Sequence, residues 1–84
     1  MDREKLRGEL LKLLSDIAPD ESLEGIRDDE RLRDRLKIDS MDFLGILIEI
    51  KKRYGVEVPQ PDYMKLSTLG GCLSYLEERL RNRP

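Results

Sequence analysis

The sequence contains no histidine, no tryptophan and a single cysteine, Cys72. Without histidine, the chain cannot build a Ser-His or Cys-His nucleophile pair, or a histidine-ligated metal site, from its own residues. One cysteine excludes an internal disulfide and fits a reducing cytoplasm. Aromatic residues make up only 5% of the chain, as Phe43, Tyr54, Tyr63 and Tyr75, so the core must be largely aliphatic. No apolar run approaches the roughly 20 residues of a membrane span. The start, Met1-Asp2-Arg3-Glu4-Lys5, lacks the apolar centre of a secretory leader. Neither charge sign dominates: 16 basic residues face 18 acidic ones, for a net charge of −2. A general nucleic-acid binder needs a clear basic excess, which is missing here.

What is present is helical patterning. The 84 residues are 38% apolar and 40% charged, which predicts one domain over 1–84 with a lean core and a densely charged surface. Residues 2–17 place Leu6, Leu10, Leu13, Leu14 and Ile17 on one face, with Asp2 as cap. Residues 18–38 form a long connection, expected to be ordered because Leu23, Ile26, Leu32, Leu36 and Ile38 can pin it, with a helical turn near 29–35. The mixed charges of 27–37 read as a solvated face. Residues 40–54 form the most apolar helix, with Met41, Leu44, Leu47 and Ile48 on one side and Phe43, Ile46 and Ile50 beside it. An arc that broad belongs to a central helix or to one that keeps surface for a partner. Gly55 stops it. Val56-Glu57-Val58 is then an extended connection, Pro61-Asp62 opens a short helix or turn, and Thr68 caps a last helix carrying Leu69, Cys72, Leu73, Leu76 and Leu80. Gly70 and Gly71 allow another helix to approach closely, Cys72 is a small buried hydrophobe, and 81–84 is a frayed tail. The fold class is all-α, a small bundle of three main helices plus one short helix, with a long loop between the first and second main helices.

The chemistry concentrates at Ile38-Asp39-Ser40-Met41-Asp42-Phe43-Leu44. Asp39 or Ser40 caps the helix that follows, since either side chain can accept from its free first-turn N–H groups. Ser40 therefore lies at the positive end of the helix dipole, a field that favours a phosphate ester. A carboxylate of ordinary acidity, with a pKa of about 4, is a poor base for a serine hydroxyl. If Ser40 reacts, another protein activates it; the plain alternative is a helix cap and nothing more.

Three stretches together resemble the acyl carrier protein family, the phosphopantetheine-bearing domains of fatty-acid, polyketide and nonribosomal-peptide assembly. Leu36-Lys37-Ile38-Asp39-Ser40-Met41-Asp42-Phe43-Leu44 is similar to the family's Asp-Ser-Leu or Asp-Ser-Met attachment site. Tyr54-Gly55-Val56-Glu57-Val58-Pro59 is similar to the segment after the family's second helix. Asp62-Tyr63 with Leu66-Ser67-Thr68-Leu69 is similar to the join between its third and last helices. The resemblance implies that Ser40, beside Asp39, receives 4'-phosphopantetheine from coenzyme A through a separate phosphopantetheinyl transferase. The arm then carries an acyl or aminoacyl group as a thioester, and the chain, a cytoplasmic monomer, catalyses nothing. It further implies a docking surface on the helix 40–54 for loading ligases, synthases or transferases, using Met41, Asp42 and Glu49, with no nucleic-acid or membrane partner.

Two departures bear on the partner. Lys51-Lys52-Arg53 stand where many carrier proteins of primary fatty-acid synthesis are acidic, and Gly45 takes a position that is often acidic in them. Electrostatic complementarity governs partner choice and association rate, so Lys51 and Lys52 either select a different partner or only complement the helix dipole. The wording Asp-Ser-Met-Asp-Phe-Leu is also similar to that of discrete carriers of specialised pathways, including those loaded with amino acids. Tyr63 or Met64 belongs to the core edge or to a groove for the acyl chain. The rival reading is an unmodified helical adaptor that binds a protein through the helix 40–54.

Overall fold

A computed structural model of the chain describes residues 2–81. Its first helix, α1 (Arg3–Ile17), begins at Asp2, whose carboxylate accepts from the Glu4 N–H at 3.2 Å, and closes with the Ala18 N–H on the Leu14 carbonyl. A five-residue helix, α2 (Leu32–Leu36), interrupts the long crossing. The helix α3 (Ser40–Tyr54) ends at Gly55, which takes the left-handed conformation (φ 68°) and donates its N–H to Lys51. A 3-10 helix (Gln60–Leu66) and α4 (Leu69–Arg81) complete the order. The helix α1 packs on both α3 and α4, and the 3-10 helix packs on α4. Leu6, Leu10, Leu13 and Leu14 of α1 meet Ile46 and Ile50 of α3 and Leu69, Leu73 and Leu76 of α4 in one core, all fully buried. Burying each such side chain contributes about 1.5–3 kcal/mol. The all-α bundle expected from periodicity is what forms. Arg81 belongs to α4, whereas the rest of the expected tail, 82–84, lies outside the described residues.

The crossing is ordered, with Ile26, Leu32, Leu36 and Ile38 buried and Leu23 half-buried. Its helical turn starts later than 29–35 because the residues before Leu32 are engaged elsewhere. Glu30 offers its carbonyl to the Leu69 N–H at 3.3 Å, and Arg31 bridges to Thr68. The start of α4 is thus stitched to the crossing, with the Gly70 N–H on the Asp28 carbonyl at 2.8 Å and the Leu32 N–H on the Ser67 carbonyl at 2.9 Å. The solvated-face reading of 27–37 fails at Arg35. That guanidinium is half-buried and clamps the loop through the Glu30 carboxylate (2.8 Å) and the carbonyls of Glu24 (2.6 Å) and Ser22 (3.3 Å). The glycine pair meets the expectation of close packing against another helix only in part: Gly71 lies under the Lys65 carbonyl of the 3-10 helix, whereas Gly70 lies against the Cβ and carbonyl of Asp28, which is loop.

Val56 is buried and Val58 half-buried, so the segment after α3 is extended and tucked inward without forming a strand. The 3-10 helix opens at Gln60, a residue before Pro61, since proline's fixed φ suits a first turn. Cys72 is fully buried with its Sγ 3.2 Å from the Leu66 carbonyl, and burial pushes its thiol up to about 12. Tyr54 and Tyr75 sit at the core edge and donate to Glu9 (2.9 Å) and Asp62 (2.8 Å). Asp62 also meets Lys65 (3.4 Å) and Arg79 (3.3 Å), and the Arg79 guanidinium lies 4.8 Å from the centre of the Tyr75 ring.

The Tyr75 hydroxyl first, and then Lys65 and Arg79, hold the Asp62 carboxyl below its ordinary range. A carboxyl lowered in the folded state adds stability above its unfolded pKa of about 4, and that stability is lost as pH falls through the folded value. Urea midpoints are therefore expected to drop below about pH 4, and Asp62→Asn should flatten part of that drop. Equal acid limbs in variant and parent would show that Asp62 plays no part.

Candidate functional site

The joint between α2 and α3 is three residues long and anchored from within. Lys37 turns the chain in the left-handed conformation (φ 54°), and its N–H and that of Ile38 both reach the Arg33 carbonyl. Leu36 and Ile38 are buried on the core side of this turn. Asp39 is extended and caps α3: its carboxylate accepts from the Asp42 N–H at 3.0 Å and its carbonyl from the Phe43 N–H at 3.0 Å. Of the two capping residues the sequence allowed, the structure uses Asp39. Ser40 is then the first helical residue, exposed, with its hydroxyl free of the capping role. The N–H groups of Ser40 and Met41, in the first turn, have no acceptor within the helix.

The rotation of α3 differs from expectation. Ile46, Leu47, Ile50 and Tyr54 face the core, with Phe43 half-buried in line with them. Met41, Leu44 and Ile48 face outward at 79%, 42% and 56% exposure. Of the four residues expected along one apolar side, only Leu47 is buried. The reason is that α1 packs on the side carrying Ile46, Leu47, Ile50 and Tyr54, while Phe43, in line with them, turns to Tyr63 of the 3-10 helix. The outward stripe, at i, i+3 and i+7, is the surface kept free.

Asp42 is exposed beside Ser40. At the far end of the stripe, Lys51 pairs with Glu57 at 3.3 Å and Lys52 with Glu49 at 3.7 Å. Glu49 also meets Arg53 at 3.3 Å, and Arg53 reaches Asp16 of α1 at 3.1 Å. Arg53 and Glu49 thus tie α3 to α1, while Lys51 and Lys52 remain largely exposed.

Ser40 opens onto a groove of about 310 Å³ between α2, α3 and the 3-10 helix, lined by Arg33, Phe43, Leu44, Tyr63, Met64 and Ser67. Phe43 and Tyr63 close its floor edge to face, with centroids 6.4 Å apart. Both residues weighed for a groove, Tyr63 and Met64, are in it. Arg33 is the member that sequence reasoning passed over, since it lay inside a run of alternating charge. Its only signal was a position seven residues before Ser40, one short helix away. An exposed hydroxyl at a helix start, an adjoining cation and an apolar trough make a donor set that fits a phosphodiester-linked group with a partly apolar stem.

Comparison with known proteins points the same way. The family model described as a phosphopantetheine attachment site matches residues 5–76. The acyl carrier protein of Thermotoga maritima is 30% identical over 79 residues, covering 93% of this chain and 95% of that protein. That of Brachyspira hyodysenteriae is 34% identical over 53 residues, covering 63% and 68%. That of Rickettsia canadensis is 26% identical over 77 residues, covering 90% and 87%.

Proposed function

The chain belongs to the acyl carrier protein family, the carriers of covalently bound 4'-phosphopantetheine, and on that premise we propose that Ser40 is its attachment residue. The observation that carries this is the position of Ser40 as the exposed first residue of α3, with the cap supplied by Asp39 and not by Ser40 itself. In the attachment reaction the Ser40 oxygen bonds to the phosphorus of the coenzyme A arm, and the pyrophosphate P–O bond breaks. Adenosine bisphosphate leaves, and the serine proton passes to a base of a phosphopantetheinyl transferase, since no residue beside Ser40 is suited to take it. Once attached, the arm supplies a terminal thiol that holds an acyl or aminoacyl group as a thioester. Ser40 fixes the root of the arm at a rigid helix end. Tethering keeps the acyl group at high effective concentration for each enzyme it visits.

The docking surface of this reading is the exposed stripe of α3. Met41 and Asp42 flank Ser40, Leu44 and Ile48 extend the apolar contact, and Lys51 and Lys52 close it, with Glu49 behind them. Opposite charge favours encounter, so the two lysines fit loading ligases or synthases that present acidic residues there, in a specialised pathway more than in housekeeping fatty-acid synthesis. The protein acts in a reducing cytoplasm as a substrate and carrier. Among the described residues no helix is long and apolar enough to cross a membrane.

Intact mass after incubation with coenzyme A and a broad-specificity transferase tests the attachment. One phosphopantetheinyl group is expected; an unchanged mass with several active transferases would leave the unmodified adaptor. Reversing Lys51 and Lys52 to Glu should slow acylation of the loaded protein by its cognate enzyme at low salt. An unchanged rate reduces those lysines to a helix end.

A further inference from the structure

Attachment at Ser40 places a phosphodiester, with about one negative charge, where the chain already has two carboxylates at the start of α3, Asp39 and Asp42. Asp39 is engaged with the Asp42 N–H, and Asp42 is exposed in the first turn. The cations of α3 lie at its other end, where Lys51, Lys52 and Arg53 all pair with acidic residues. On the α2 side the position is different. Arg35 is held by Glu30 and two carbonyls, but Arg33 is exposed, lines the groove that Ser40 opens onto, and makes no ion pair or side-chain hydrogen bond among the described residues. Arg31 and Asp34 share a neighbouring groove with Arg33 but do not line the one containing Ser40.

We infer that Arg33 is a positioning residue for the phosphodiester of the arm on Ser40, drawing the root of the arm into the groove over Phe43, Tyr63 and Met64. A guanidinium suits this task because its planar donors bind two phosphate oxygens at once and it is less strongly hydrated than an ammonium. Pairing offsets the repulsion from Asp39 and Asp42. The apolar part of the groove then receives the stem of the arm, leaving Met41 and Ile48 free for a partner. The inference rests on attachment at Ser40 and adds a direction to it: the arm leaves toward α2 and the 3-10 helix.

The test compares apo- and holo-protein by nitrogen NMR of the arginine side chains and by phosphorus NMR. Mass is read first, and a failure to gain the group counts against Ser40 and not against Arg33 specifically. In holo-protein the Arg33 Nε–H resonance should be displaced from its apo position, with the displacement shrinking as salt is raised. Arg33→Ala should move the phosphorus resonance toward that of free phosphopantetheine, and Arg31→Ala should leave it in place. Both substitutions are on exposed side chains, and equal apo melting temperatures confirm intact folds. An Arg33 resonance identical in apo- and holo-protein overturns the inference. So does an Arg31→Ala effect as large as that of Arg33→Ala, because general basic charge would then suffice.

Discussion

Ser40→Ala is expected to gain no mass under conditions that convert the parent fully to its holo form, and to keep its fold. The loss is complete because the reaction needs an oxygen nucleophile at this position and the substitution removes it. The neutral effect on stability follows from the cap. Asp39 holds the Asp42 N–H, so the serine hydroxyl is not part of the helix end, and alanine is the better helix former by a few tenths of a kcal/mol. Asp39→Ala separates the two roles: it should cost about 1 kcal/mol as a lost cap while Ser40 keeps its hydroxyl. Intact mass and thermal melts on the pair check this. A Ser40→Ala protein that still gains the group on Ser15, Ser22, Ser67 or Ser74 would falsify the site assignment outright.

Gly71→Ala is expected to be the most damaging single-methyl change in the protein. A Cβ at position 71 would collide with the Lys65 carbonyl oxygen, and that atom is backbone of the 3-10 helix. Neither side yields easily, since α4 is fixed behind Gly71 by the fully buried Cys72 and Leu73, and the 3-10 helix by the buried Leu66. Overpacking of this kind costs about 1–3 kcal/mol and sometimes more; with backbone on one side, about 3 kcal/mol is expected. For a domain of this size that lowers the melting temperature by roughly 12–24 °C. Gly8→Ala is the matched control: no atom lies within 4 Å of its added methyl, and the exchange within a helix should stabilise by about 0.5–1 kcal/mol. If the two variants melt alike, the close approach at Gly71 does not exist in solution.

The extents of the long helices were legible because local signals mark them. Asp2, Asp39 and Thr68 cap, Gly55 stops, and apolar residues recur at helical spacing between them. The position of Ser40 followed from the same signals. The rotation of α3 was not legible. Its apolar residues span more than half the circumference, and only tertiary contacts, α1 against Ile46, Leu47 and Ile50 and Tyr63 against Phe43, decide which of them turn in. Placement of α2 depended on hydrogen bonds between Glu30 and Leu69 and between Leu32 and Ser67, pairs more than thirty positions apart, which no local pattern reports. Arg33 and Arg35 look alike in sequence, yet one clamps a loop and the other faces the groove at Ser40. That difference arises from folding alone.

The outward stripe of α3 has a chemical cost that its shape does not show. Met41 on that stripe and Met64 of the 3-10 helix are the two most exposed large apolar side chains among the described residues, at 79% and 81%. Thioethers so accessible are the first groups a peroxide meets, and conversion to sulfoxide makes an apolar contact polar and chiral. The core thiol, Cys72, is shielded from the same reagent. On the proposed docking surface, oxidant should therefore leave a protein that is folded and still carries Ser40 but binds its partner enzymes more weakly, a loss that methionine sulfoxide reductases would reverse.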